Sequence, residues 1–217
     1  LKIKNNFNTI LFDLDGTLIK SMENHYKAWK SAFIEYDIDL KESEYYHLEG
    51  SKLLEIAKKI LKQNNKSLRL AKNIVEKKEY YYNKKNKIFF YKDVNQIIDY
   101  LKNSYNLGIV TATKRKTFNL TIPINFAKKF NVIVTGDETK NGKPSPEPYL
   151  LAAKRFKKNT SNCIVIENAP LGIISAKKAG MFCVAISSTV SKSYLSKADI
   201  IIDKFNEILK LNVINKF

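Results

Sequence analysis

Two aspartates, Asp13 and Asp15, stand two residues apart in "FDLDGTL" (residues 12–18), where the apolar, β-prone run "NTILF" ends. Ionised groups are costly to desolvate, so carboxylates at the end of a core strand imply partners that use their charge. Candidates recur downstream: Thr111 in "IVTATK", Lys143 in "NGKPSPEPY", and Glu167 and Asn168 in "IVIENAP". Carboxylates with an amide oxygen suit a hard cation such as Mg2+, which takes oxygen ligands and keeps some waters. A lysine and a hydroxyl beside them suit the oxygens of a phosphoryl group. Gly16 and Thr17 turn the chain at the strand end, where backbone N–H groups can face an anion. A cation and a lysine keep one aspartate ionised and nucleophilic, while the other holds a proton for a leaving oxygen.

The elements that must position these groups fall into three segments. Residues 1–20 form one strand. Residues 21–87 read as helices: Tyr26, Trp29, Phe33 and Tyr36 recur at helical spacing, as do Leu53, Ile56, Ala57 and Ile60. A third helix is expected from about Leu68 to Tyr82, with Asn/Lys-rich breaks between the three. Residues 88–217 alternate helices with short apolar strands, "LGIVTAT", "NVIVTGD", "NCIVIENAP", "MFCVAISS" and "ADIIID", and close on a helix, "FNEILKLNVI". Apolar strands between helices are buried on both faces, which predicts an α/β fold with a Rossmann-like parallel sheet. The first strand joins that sheet, so residues 1–20 and 88–217 make the core domain, and 21–87 an inserted all-helical cap. Ligands in such sheets bind beyond the carboxyl ends of the strands, where "DLDGT", "TATK" and "ENAP" all fall.

Composition narrows the class. The chain has 217 residues, 44% of them hydrophobic, enough for one core and a smaller subdomain. Cys163 and Cys183 lie in apolar runs without metal-site spacing and read as core thiols, which suits a reducing cytoplasm. No run approaches the roughly 20 apolar residues of a membrane span, and no signal-peptide pattern opens the chain. The formal net charge of +17 attracts polyanions. Its lysines are spread along the whole chain without a nucleic-acid-binding signature, so they read as solvated faces or as steering for a phosphorylated substrate. No specific nucleic acid and no membrane is expected as a partner, and a monomer is the default.

"FDLDGTL", "IVTATK", "GKPSPEPYLLAAKRF" and "IVIENAPLGIISAKKAGM" resemble, in order, the four motifs of the haloacid dehalogenase-like hydrolases. The likeness extends to the β-phosphoglucomutase and phosphoglycolate phosphatase branch, whose helical cap follows the first motif. The resemblance implies that Asp13 attacks phosphorus and forms an aspartyl-phosphate, and that Asp15 protonates the leaving alcohol. It implies that Thr111 and the backbone at Ala112 hold phosphate oxygens and that Lys143 neutralises charge. Mg2+ would sit on the Asp13 carboxylate, the Asp15 carbonyl, Glu167 and Asn168. Relatives that cleave carbon–halogen bonds lack an acid at the position of Asp15, so phosphate-ester chemistry is favoured.

Two departures stand out. Asn168 replaces a usual aspartate, keeping an oxygen for the cation but losing a charge. Lys20-Ser21 replaces an acidic pair member at the expected cap hinge. In the cap, His25 either touches substrate, assists Asp15 or merely starts a helix. His47 reads as a surface residue and Trp29 as core. Lys52 and Lys78 lie where a cation could grip a second phosphate or a sugar hydroxyl, and Thr113 and Lys114 could meet the distal substrate. The expected function is a Mg2+-dependent phosphatase of a small phosphorylated metabolite, a sugar phosphate or phosphoglycolate. The alternatives are a phosphomutase of the β-phosphoglucomutase type and, from another class, a basic nucleic-acid-binding module.

Overall fold

The computed structural model describes residues 7–84 and 88–214. Among them six strands form one sheet: β1 (Thr9–Phe12), β2 (Asn106–Val110), β3 (Val132–Val134), β4 (Cys163–Glu167), β5 (Phe182–Ile186) and β6 (Ile200–Ile202). Their order is β3-β2-β1-β4-β5-β6 and every pairing is parallel. The chain leaves β1 for one side of the sheet and returns for β4 on the other. β1 therefore marks the switch point where such sheets open a crevice.

Burial on both faces accounts for the apolar strands. Ile10 and Phe12 of β1, with Ile164 and Ile166 of β4, pack on one face against α5 (Val94–Leu101), through Val94, Ile97, Ile98 and Leu101. Leu11, Cys163 and Val165 point to the other face. There they meet Tyr149, Ala152 and Ala153 of α8 (Glu147–Phe156) and Ile173 and Ala176 of α9 (Pro170–Lys178). Each fully buried aliphatic side chain contributes about 1.5–3 kcal/mol, which fixes the register and with it the strand ends. Both cysteines are buried free thiols. The α/β, parallel-sheet expectation is borne out.

Between β1 and α5 lie α1 (Met22–Ile34), α2 (Glu42–Tyr46), α3 (Leu53–Gln63) and α4 (Ala71–Lys84). Trp29 and Phe33 of α1, Ile56, Ala57, Ile60 and Leu61 of α3, and Ala71, Ile74 and Val75 of α4 share a separate apolar cluster. The third expected helix begins as a 3-10 turn at Leu68–Leu70, where Ser67 Oγ accepts the Arg69 N–H, and only then becomes α4. Short helices α2, α6 (Arg115–Thr121) and α7 (Ile124–Ala127) were not legible from periodicity, being one or two turns long. The closing helix is a 3-10 segment, Phe205–Lys210, ended by the extended Leu211. Among the described residues no helix is long and apolar enough to cross a membrane. The expected 87/88 boundary falls at residues 85–87, outside the described residues.

Candidate active site

The sheet carries its ladder one residue past the strands. Asp13 N–H donates to the Ile166 carbonyl at 2.9 Å and Thr111 N–H to the Val134 carbonyl at 3.0 Å. Phe12 pairs with Ile109 and with Ile166, so Asp13 stands between the ends of β2 and β4. Asp13, Asp15, Thr111, Lys143, Glu167 and Asn168 are all buried. The polar residues of the four sequence stretches converge on one mouth.

Lys143 organises its centre. Its Nζ lies 2.6 Å from Asp13 Oδ1 and 2.6 Å from Glu167 Oε1, and donates to the Val110 carbonyl at 3.2 Å. Burial alone would lower the ammonium, but Asp13 and Glu167 outweigh it and hold Lys143 above its ordinary range. Glu167 is fully engaged: Tyr149 OH also donates to Oε1 at 2.8 Å, and the N–H groups of Asn168 and Ala169 reach Oε2 at 2.9 and 3.1 Å. Tyr149 had no signal in the sequence beyond its place on an amphipathic helix.

Asp15 faces the inserted helices. Ser21 Oγ donates to its Oδ1 at 2.6 Å, and His25 Nε2 lies 3.0 Å from the same oxygen. Thr113 and Thr111 hydroxyls reach Oδ2 at 2.9 and 3.3 Å. Behind His25, Lys78 Nζ sits 3.0 Å from Nδ1, so a line Lys78–His25–Asp15 runs from α4 through α1 to the end of β1. Tyr82 stacks on the imidazole at 4.1 Å between ring centroids. His25 is thus neither a bare helix start nor exposed.

The protein's own groups push the two aspartates apart in pKa. Burial pushes the Asp13 carboxyl well above its ordinary range; Lys143 pulls it down, and Glu167 and Asp15 push it further up. Burial opposes charge on Asp15 as well. Attraction to His25 and hydrogen bonds from His25, Ser21 and Thr113 win there, holding Asp15 below the usual carboxylate range. Burial, then the Lys78 cation, lowers His25. Lys78 itself is brought down by burial to about 8.

The Asn168 amide faces Asp13 Oδ2 and the Asp15 carbonyl. Turned so that Nδ2 donates, its amide reaches Thr17 Oγ1 at 2.9 Å, the Asp15 carbonyl at 3.2 Å and Asp13 Oδ2 at 3.3 Å, while Thr189 Oγ1 donates to its oxygen at 3.0 Å. In the opposite orientation Thr17 Oγ1 donates to Oδ1, and the amide oxygen faces those two oxygens. Three oxygens at such distances repel unless a cation lies among them, and hard oxygen donors are what Mg2+ takes. The donor set fits. Among the described residues no three His, Cys, Asp or Glu side chains cluster for a metal ion, so a cation here relies on a carbonyl and an amide. Gly16 permits the approach: its φ is +87°, and a Cβ there would lie 2.2 Å from Asn168 Nδ2.

The remaining expected residues are held elsewhere than a free subsite. Lys52 Nζ donates to the Thr139 carbonyl, and Lys114 Nζ pairs with Glu79 Oε2 at 2.8 Å. Ala112 is half-buried beside Thr111, whose Oγ1 accepts the Thr113 N–H at 3.0 Å. His47 is exposed against Tyr194, and Trp29 is fully buried.

The family description haloacid dehalogenase-like hydrolase matches residues 10–186. The chain belongs to the haloacid dehalogenase-like hydrolases. This hydrolase is 26% identical to fructose-1-phosphate phosphatase YqaB of Escherichia coli over 181 residues, 82% of this chain and 95% of that protein. It is 26% identical to the phosphorylated carbohydrates phosphatase of Thermotoga maritima over 213 residues, 93% of this chain and 96% of that protein. The structure of β-phosphoglucomutase from Clostridium difficile superposes with a TM-score of 0.79 at 28% identity, covering 93% of each chain. The expectation of a phosphoric monoester hydrolase is borne out at the level of enzyme class.

Proposed function

We propose that this hydrolase is a Mg2+-dependent phosphatase of small phosphorylated metabolites, of the sugar phosphate or phosphoglycolate kind, working through an aspartyl-phosphate on Asp13. The observation that carries this reading is Lys143 Nζ placed 2.6 Å from both Asp13 and Glu167. A buried ammonium there neutralises charge on the attacking carboxylate and on an entering phosphoryl group. Thr111 and the backbone at Ala112 hold its oxygens.

An Asp13 oxygen bonds to phosphorus as the bond from phosphorus to the leaving alcohol breaks. Asp15, whose pKa the incoming phosphoryl charge raises, passes its proton to the leaving oxygen. Asp15 then takes a proton from water as the water oxygen attacks phosphorus. The bond to Asp13 breaks and inorganic phosphate leaves. His25, held by Lys78 and Tyr82, fixes the Asp15 carboxyl on the line of the leaving group. Asp13 Oδ2, the Asp15 carbonyl and the Asn168 oxygen would hold Mg2+, which supplies neutralisation of the phosphoryl oxygens. With both Glu167 oxygens engaged by protein donors, Glu167 acts mainly through charge. The helices of residues 21–87 act as a cap over the core, and the buried free thiols suit a reducing cytoplasm.

A phosphomutase is the second reading, favoured by the likeness to β-phosphoglucomutase along 93% of the chain. It shares Asp13 and Asp15 and differs in whether water or a second sugar hydroxyl attacks the intermediate. A hydrolysis screen of phosphorylated metabolites with Mg2+, beside Asp13→Asn and a β-glucose 1-phosphate isomerisation assay, separates the readings. The expected result is phosphate release by the wild type and a loss of roughly a thousandfold or more in the variant. Release by Asp13→Asn at the wild-type rate would remove Asp13 as nucleophile.

A further inference from the structure

The chain crosses between the sheet and the inserted helices twice, and the two crossings pair. Lys20 N–H donates to the Phe89 carbonyl at 2.7 Å and Tyr91 N–H to the Leu18 carbonyl at 3.1 Å. Beside this pair, at the carboxyl ends of β5 and β6, lies a cavity of about 370 Å3. That edge is where parallel sheets take ligands. Asp13, Asp15, Lys143 and Glu167 are not on its lining, and the Gly16–Thr17 turn stands between them and it. Ser188, on the cavity wall, donates to the Gly16 carbonyl at 2.5 Å, while Thr17 meets the Asn168 amide.

The lining has two characters. Ile186 and Phe205 are buried and give an apolar floor, and the half-buried Tyr91 ring adds a flat wall. Lys20, Lys92 and Lys204 stand at the exposed side, and none of the three makes an ion pair among the described residues. Of the two carboxylates on the lining, Asp203 is taken by Lys192 at 2.8 Å and Ser187 at 2.7 Å, which leaves Asp93 against three lysines. Lys20 Nζ lies 5.6 Å from the Tyr91 ring centroid, a cation over an aromatic face. At the catalytic mouth, by contrast, Lys52, Lys78 and Lys114 are each engaged by a protein group.

We propose that this cavity is a second binding site, taking a small organic anion that joins a planar ring to a phosphate, sulfonate or carboxylate. Its volume falls within the roughly 300–1,000 Å3 of small-molecule sites. The ring lies on Ile186, Phe205 and Tyr91, and the anionic group meets the lysines. Neither half suffices alone: a bare anion leaves the apolar floor wet, and a neutral ring leaves the lysines unpaired. An occupant touches both crossings and the loops after β5 and β6, so it ties the inserted helices to the sheet from outside the catalytic mouth. The site is independent of the phosphatase reading.

Calorimetric titration with 1-naphthalenesulfonate, 1-naphthol and inorganic sulfate tests it, on the wild type, the double variant Lys92→Glu with Lys204→Glu, and Lys52→Glu. One sulfonate per chain is expected, bound about tenfold or more tighter than 1-naphthol or sulfate. The double variant is expected to weaken it by about tenfold, as two surface charges turn from attraction to repulsion. Both positions are exposed, so the fold is kept. Lys52→Glu, at the catalytic mouth, is expected to leave the affinity unchanged. No binding, 1-naphthol bound as tightly as the sulfonate, or a double variant that binds like the wild type overturns the proposal. So does an affinity lost in Lys52→Glu and kept in the double variant, which places the sulfonate in the catalytic mouth.

Discussion

The sheet and the inserted helices both bury charge at the same mouth, yet they do so differently. At the sheet, Lys143 is clasped between two carboxylates, and Glu167 meets four protein donors, two of them backbone N–H groups. Those donors are fixed by strand register and by the start of α9. On the helical side, Lys78 is buried against the His25 imidazole and two aromatic rings, 4.6 Å from the Tyr82 centroid and 5.7 Å from that of Trp29. Trp29 Nε1 has no hydrogen-bond partner among the described residues. The sheet side is a saturated ionic network; the helical side is a lean one, with a cation whose pKa burial brings down to about 8. On the proposed mechanism the first would fix where phosphorus sits, and the second would tune the proton donor.

Lys143→Met tests the saturated side and should have the largest effect. It leaves Asp13 and Glu167 buried without their cation, which costs about 3–5 kcal/mol for a broken buried pair. Urea unfolding should show that loss, together with abolished phosphate release. Lys78→Met removes the lean side's cation without stranding a carboxylate. A fall of about ten- to a hundredfold in kcat, with KM and the unfolding midpoint nearly kept, is expected. A larger loss of stability than of turnover would make the Lys78–His25–Asp15 line structural.

Asn168→Asp asks whether the sheet side can be made more ionic still. Calorimetric Mg2+ affinity should rise by about tenfold, since a charged ligand replaces a neutral one that must first turn its amide. Unchanged affinity would place the cation away from residue 168. The smallest effect separates the two regions far from the mouth. On the sheet side Glu138 accepts from Arg115, Arg155 and Thr135. Burial opposes its charge, but those bonds bring its pKa down to about 2. A folded pKa below the unfolded one stabilises at neutral pH, and the gain is lost as pH falls from the ordinary carboxylate range toward 2. Glu138→Gln should cost about 1 kcal/mol at pH 7 and progressively less in acid. Glu35→Gln, which breaks the exposed contacts with Lys77 and Tyr81 on the helical side, should cost less.

The same division explains what the sequence disclosed. Asp13, Thr111 and Glu167 sit at or just beyond strand ends, so a strand pattern with a polar terminus was enough to bring them together, whereas Lys143, in the loop before α8, was legible only from its motif. The partners that tune them were not legible. Ser21 on Asp15, Tyr149 on Glu167 and the Thr139 carbonyl on Lys52 depend on how helices settle against the sheet. Lys78 was read as a substrate grip because its helix position says nothing of His25 across the bundle.

Asp13 and its counterion Lys143 are separated by 130 positions in the chain. While the ribosome still holds the stretch carrying that lysine, the emerging polypeptide has Asp13 but not the ammonium that pairs with it. A fragment clipped anywhere between the two lacks that pair for the same reason, so the carboxylate meets its counterion only once the sheet has closed around it.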